Sequence, residues 1–153
     1  MKQITLTVNG TPHRVTVDDS TLLLDALREQ VGCFSVREGC GVGACGACTV
    51  LADGMSVSSC LALALRYEGA EITTVEGLGE NDHVVNAFVD CDAAQCGYCI
   101  PGFVLMSHEL LRENPKPTEE QITDHLEGNI CRCGTYPEIR KAVATAADRK
   151  VGE

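Results

Sequence analysis

Tryptophan is missing from this chain, and aromatic residues of every kind make up only 4% of it, so no stacking platform for bases or sugars is available. Basic residues are outnumbered, 12 against 22 acidic ones, and a net charge of −10 excludes the basic patch that nucleic acid requires. No apolar run approaches the roughly 18 residues of a membrane span, so no direct membrane insertion is expected. The start, Met1-Lys-Gln-Ile-Thr-Leu-Thr-Val8, alternates like a strand and lacks the apolar core of a signal peptide. No phosphate loop and no nucleophile–base pair stands out, so no catalytic residue is assigned and no substrate chemistry is expected from the chain alone.

Cysteine is what the chain has in excess: ten in 153 residues. Such usage means disulfides, zinc or iron–sulfur. Without a signal peptide the thiols are expected to stay reduced in a cytoplasm, or in a periplasm only if the chain is co-exported with a signal-bearing partner.

Four of the ten read as one site. Cys40, Cys45 and Cys48 have the spacing C-x4-C-x2-C, and Cys60 follows after eleven intervening residues. This is the plant-type [2Fe–2S] ligand order. Four thiolates converging on two irons force the backbone to curl tightly. Gly41, Gly43 and Gly46 permit the necessary turns. A structural zinc site would pair its cysteines in two separated knuckles, which this order does not do.

Around that loop the texture is strand-like. Ile4, Leu6 and Val8 alternate with Thr5 and Thr7, and Asn9-Gly10 signals a hairpin with a returning strand at 13–17. Asp18 to Ser20 offer caps for a short helix carrying Leu22, Leu23, Ala26, Leu27 and Val31, closed by Gly32. Strands at 49–52 and 55–58 flank Asp53-Gly54, followed by a short helix at 61–67 and a strand at 71–75. Strand, hairpin, strand, helix and cluster loop follow the order of a β-grasp.

Past Glu76-Gly-Leu-Gly79 the alternation stops and helical spacing takes over. Val84, Val85, Phe88 and Val89 form one apolar face, and Pro101 opens a second helix with Phe103, Met106, Leu110 and Leu111. Thr118-Glu-Glu-Gln121 is a capping box for a third helix. Tyr136-Pro137 opens a fourth, striped by Ile139, Val143 and Ala147, and Lys150 to Glu153 are expected to fray. The fold class is therefore α+β, divided into residues 1–78 and 79–153.

The helical half holds Cys96-Gly-Tyr-Cys99 and, after thirty-one intervening residues, Cys131-Arg-Cys133. Spacing alone leaves zinc open here. Both pairs lie just before predicted helix N-termini, whose partial positive charge suits an anionic cluster. Cys33 and Cys91 are left over and read as small apolar residues. His13, His83, His108 and His125 are scattered and read as surface. Arg132, between Cys131 and Cys133, fits compensation of cluster charge, pairing with a partner's carboxylate, or a solvated loop position.

Together, Val36-Arg-Glu-Gly-Cys-Gly-Val-Gly-Ala-Cys-Gly-Ala-Cys-Thr49, Thr74-Val-Glu-Gly-Leu78, Gln95-Cys-Gly-Tyr-Cys-Ile-Pro-Gly102 and Glu127-Gly-Asn-Ile-Cys-Arg-Cys-Gly-Thr-Tyr-Pro137 resemble the small iron–sulfur subunit of the molybdenum hydroxylases, the xanthine dehydrogenase and aldehyde oxidoreductase family. The resemblance implies a plant-type ferredoxin-like β-grasp domain with a [2Fe–2S] cluster on Cys40, Cys45, Cys48 and Cys60. It implies a four-helix bundle with a second cluster on Cys96, Cys99, Cys131 and Cys133. It implies a large partner subunit carrying the molybdopterin cofactor, contacted by Gln95 and Cys133. The first cluster would face an acceptor: FAD on a medium subunit, or a cytochrome. Many members read Cys-Arg-Cys-Thr-Gly-Tyr where this chain reads Cys131-Arg-Cys-Gly-Thr-Tyr136. The swapped order is similar to members acting on N-heterocycles or aldehydes, some of which lack an FAD subunit. A purine substrate also stays within the family. The alternative is a free-standing two-cluster ferredoxin-type carrier.

Overall fold

The computed structural model describes the backbone of residues 1–151. Its first half is a five-stranded mixed sheet of order β2-β1-β5-β3-β4: β1 (Lys2–Val8), β2 (Thr11–Val17), β3 (Thr49–Ala52), β4 (Met55–Ser58) and β5 (Glu71–Thr73). Strands β1 and β5 run parallel and the other pairs antiparallel. Both two-residue turns sit in the left-handed region, Asn9 and Gly10 at φ 52° and 75° and Asp53 and Gly54 at φ 49° and 81°. That is the type I′ geometry whose twist matches paired strands. Ile4, Leu6, Val8, Val15 and Val17 point inward, as alternation requires, onto Leu23, Leu24, Leu27 and Ile72.

The helix after β2 differs from expectation. A single α-turn, α1 (Leu23–Asp25), widens into a π-helical turn over Ala26–Val31 before Gly32 ends it at φ 88°. Its N-cap is Leu22, with no side-chain cap; Asp18 instead folds back on Ser20 and Thr21. The stretch predicted as helix at 61–67 is a 3₁₀ turn at Ala64–Tyr67.

The second half is four helices: α2 (His83–Asp90), α3 (Ile100–Glu113), α4 (Glu119–Leu126) and α5 (Tyr136–Val151). Asp82 caps α2, and the Thr118–Gln121 capping box opens α4. Phe103, Leu110, Leu111, Ile122, Leu126, Ile139 and Val143 form the core. Val89 is 70% exposed, and Ala87 takes the inward place expected of it. A three-residue step at this end of the short helix keeps Ala87 beside Val84. Lys150 lies within α5 and donates to the Leu111 carbonyl, while Gly152 and Glu153 lie outside the described residues.

The histidines are half-buried rather than on the surface. His108 Nε2 lies 3.0 Å from Asp82 Oδ1. His125 Nε2 lies 3.3 Å from Glu109, an ion-pair distance without hydrogen-bond geometry. Each thereby accompanies a carboxylate that already serves the backbone.

Helix α3 joins the halves, packing on β3 and β4. Near its start, buried Gly102 lies against the Gly46 backbone: a Cβ there would stand 2.2 Å from Gly46 O. Further along, the buried Glu109 accepts from the Ser56 amide at 2.6 Å, and Arg112 donates to Gly54 O at the β3–β4 turn. The connecting segment after β5 is fixed as well. Thr74 exchanges hydrogen bonds with Asn9, and Glu76 accepts from the Ser35 amide and hydroxyl.

Candidate iron–sulfur sites

All ten cysteines are free thiols. Residues 39–48 form an irregular loop leading straight into β3. The string Gly41-Val-Gly-Ala-Cys-Gly46 matches a dinucleotide fingerprint in letters only, because a strand follows it where that motif needs a helix. The loop turns its amides inward. Cys40 Sγ accepts from Val42 N at 3.4 Å and Ala44 N at 3.2 Å. These amides, with the neighbouring Cys45 thiol, hold Cys40 down to about 6. Cys60 is pushed up to about 11 by burial and by the Cys48 thiol, and it also feels Cys40. The first four sulfurs thus form one interacting set. Gly39 borders it closely, since a Cβ there would lie 2.8 Å from Cys45 Sγ.

The second set is built at two helix starts. Cys99 is the N-cap of α3, with Pro101 in the first turn, and Cys133 lies three positions before Tyr136 of α5. The amide of Tyr98, then the Cys133 thiol, lower Cys96. Burial, then contact with Cys131, pushes Cys99 up to about 12. At Cys131 burial acts upward, but hydrogen bonds from Thr135, Cys99 and Gly134 bring it to about 7. The Thr135 hydroxyl lies 3.1 Å from Cys131 Sγ, and the Cys131 amide donates to the Tyr136 hydroxyl. Gly134 is at φ +83°. The Gly134-Thr135 order therefore has a reason here: glycine takes the left-handed position and threonine meets the sulfur.

Both sets combine lowered and raised thiols. With a metal centre bound, all four cysteines of each set would be held as thiolates. Among the described residues, no three His, Cys, Asp or Glu side chains are placed to hold a single metal ion. The sulfurs interact as neighbouring pairs: Cys40 with Cys45, Cys48 with Cys60, Cys96 with Cys133 and Cys99 with Cys131. Amides aimed at sulfur and two helix N-termini favour an anionic thiolate cluster. The donor sets fit [2Fe–2S] centres.

The two loops touch. The Ile130 amide, adjacent to Cys131, donates to Cys45 O at 2.9 Å. Asn129 Nδ2 donates to Gly46 O, and Tyr98 Oη, between Cys96 and Cys99, donates to Glu38 O at 2.7 Å. Each loop keeps an exposed rim: Val42 and Ala44 on the first, Gln95, Cys96 and Cys133 on the second. Arg132 is exposed, Cys33 is buried in the sheet core, and Cys91 packs at the helical core beside Thr145.

Residues 6–72 match the 2Fe-2S iron-sulfur cluster binding domain, and residues 74–144 match the [2Fe-2S] binding domain. The nicotinate dehydrogenase small FeS subunit of Eubacterium barkeri is 42% identical over 149 residues, which cover 95% of each chain. The chain belongs to the iron–sulfur subunits of the molybdenum hydroxylases. Quinoline 2-oxidoreductase from Pseudomonas putida 86 superposes with a TM-score of 0.92 at 40% identity, covering 99% of this chain and 98% of that one. The aldehyde oxidoreductase of Desulfovibrio desulfuricans gives 0.94 at 43% identity, covering all of this chain but 18% of that one. Members thus occur as separate subunits and as part of a longer chain.

The β-grasp and helical architecture, two [2Fe–2S] domains and an electron-transfer role in an oxidoreductase complex follow from this membership. A free-standing ferredoxin does not. Sequence reasoning missed the contacts between the loops. A signal was present in Gly102: a glycine in a helical turn costs about 1 kcal/mol against alanine, which asks for a packing reason.

Proposed function

We propose that the chain conducts electrons from the molybdopterin centre of a large partner subunit to FAD on a medium subunit or to a cytochrome. Cys40, Cys45, Cys48 and Cys60 would hold one cluster, and Cys96, Cys99, Cys131 and Cys133 the other. The [2Fe–2S] centres supply one-electron transfer when bound. The units are residues 1–78 and 79–153, in a cytoplasmic enzyme. The observation that carries the reading is the 2.9 Å hydrogen bond from the Ile130 amide to the Cys45 carbonyl. It joins the two ligand loops through backbone alone, with no mobile side chain between them.

The chain's own residues do the positioning. Val42 and Ala44 amides orient Cys40, and Thr135 orients Cys131. Gly46, Gly102 and Asn129 fix the separation of the loops. The exposed rim of Gln95, Cys96 and Cys133 would face the pterin, with the Gln95 amide able both to donate and to accept. The rim of Val42 and Ala44 would face the acceptor. Relatives named for nicotinate, quinoline, xanthine and aldehyde support an N-heterocycle, purine or aldehyde as the complex's substrate.

The test is isolation of the tagged chain from its native cell under non-denaturing conditions. A large molybdenum-containing chain should co-purify, and substrate-dependent reduction of both clusters should require it. A lone chain that shuttles electrons without any fixed partner would overturn the proposal.

A further inference from the structure

Arg37 precedes the first cysteine loop, yet its side chain serves the second. Its guanidinium donates to Gly97 O at 2.5 Å, between Cys96 and Cys99. It also stacks over the Tyr98 ring, 5.2 Å from the centroid. The Tyr98 hydroxyl returns a hydrogen bond to Glu38 O, beside Arg37. The arginine is therefore gripped from two sides and half-buried. Among the described residues no carboxylate lies within ion-pair distance of it. A guanidinium stays protonated throughout the working pH range, so the charge is permanent. An uncompensated cation in a chain of net charge −10 is thus held against the helical domain's cysteine loop by a residue of the sheet domain.

We propose that Arg37 is a positioning residue that raises the reduction potential of the helical-domain cluster. The inference rests on the reading of Cys96, Cys99, Cys131 and Cys133 as ligands of a [2Fe–2S] centre. Adding an electron makes such a centre more negative, and a nearby fixed positive charge favours that state. Because the charge comes from the other half of the molecule, the potential of one domain's cluster depends on the seating of the two domains. The hydrogen bond to Gly97 O also withdraws electron density from the peptide bridging the two ligands, in the same direction.

The experiment is a redox titration of the purified complex followed by low-temperature EPR, the helical-domain signal being the one that Cys96→Ala abolishes. Two separable signals in the unsubstituted protein establish the clusters independently of the proposal. Arg37→Gln should shift the oxidised-to-reduced ratio of the helical-domain cluster about tenfold toward oxidised at fixed potential, a fall of about 59 mV for a one-electron couple. Arg37→Lys, which keeps the charge, should recover most of that fall. The other cluster should move less. If Arg37→Gln fails to assemble, Tyr98→Leu releases the guanidinium into solvent and should lower the same potential in the same direction. An unchanged helical-domain potential in the variant that assembles would overturn the proposal. So would equal shifts of both clusters, or Arg37→Lys falling as far as Arg37→Gln, which would mark a purely structural contact.

Discussion

Gly102→Ala tests whether the two cluster loops are held by backbone contact. Gly102 sits in the first turn of α3 with ordinary helical φ, so alanine is locally favourable by about 1 kcal/mol. The added Cβ, however, would stand 2.2 Å from Gly46 O, 3.1 Å from Asn129 Nδ2 and 3.2 Å from Gly46 C. Two of those atoms are backbone next to Cys45, so they cannot swing aside as a flexible side chain would. Relief requires α3 to withdraw from the loop, and forced overpacking of this kind costs about 1–3 kcal/mol. Withdrawal also weakens the hydrogen bonds from Ile130 to Cys45 O and from Asn129 to Gly46 O, about 1 kcal/mol each. The balance is about 3 kcal/mol of destabilisation, or a fall in Tm of about 6–12 °C at this chain length. The assay is thermal loss of the visible circular dichroism of the clusters at a fixed scan rate. Gly128→Ala is the control, because a Cβ there meets nothing within 4 Å and φ is not left-handed. A Gly102→Ala protein that melts with the control would refute the contact argument.

Other outcomes follow from the same geometry. Cys96→Ala should remove one reduced EPR signal and leave the other; loss of both would mean the sites are not independent. Thr135→Val deletes the hydroxyl 3.1 Å from Cys131 Sγ and should lower the potential of the helical-domain cluster, since hydrogen bonds to sulfur favour the reduced state. An unchanged potential would show that the hydroxyl does not donate to sulfur. Glu76 gives a pH dependence. Burial acts to raise its pKa, but Ser35 and Thr74 outweigh it and hold the carboxyl below its usual 4.5. A depressed acid stabilises the fold fully above its unfolded value and loses that contribution as pH falls through the folded one. Glu76→Gln should therefore lower Tm at pH 7, with the gap to the unsubstituted protein narrowing below pH 4.5; a gap that widens on acidification would contradict the sign.

Local chemistry carried much of this fold in plain view. Asn9-Gly10 and Asp53-Gly54 fixed two hairpins because only those residue types accept consecutive left-handed positions. The Thr118–Gln121 box placed α4. What stayed hidden acts over distance. Arg37 and Gly97 are 60 positions apart, and Asn129 and Gly46 are 83 apart, with no periodicity linking them. The change of texture near residue 76 suggested two separate units. Nothing in the alternation of β3 and β4 revealed that α3 would lie across them. The π-helical turn at 26–31 escaped for a related reason. Its apolar spacing is helical, and no local signal marks the widening of a turn whose Ala26 and Leu27 are buried in the sheet core.

In the proposed assignment eight thiols hold two diiron centres, one in each half, joined through their loops. Iron and acid-labile sulfide analysis, joined to EPR of the dithionite-reduced protein, addresses it most directly. About four irons and four sulfides per chain and two distinct [2Fe–2S] spectra are expected. Zinc in place of iron in either half, or one spectrum only, would contradict it.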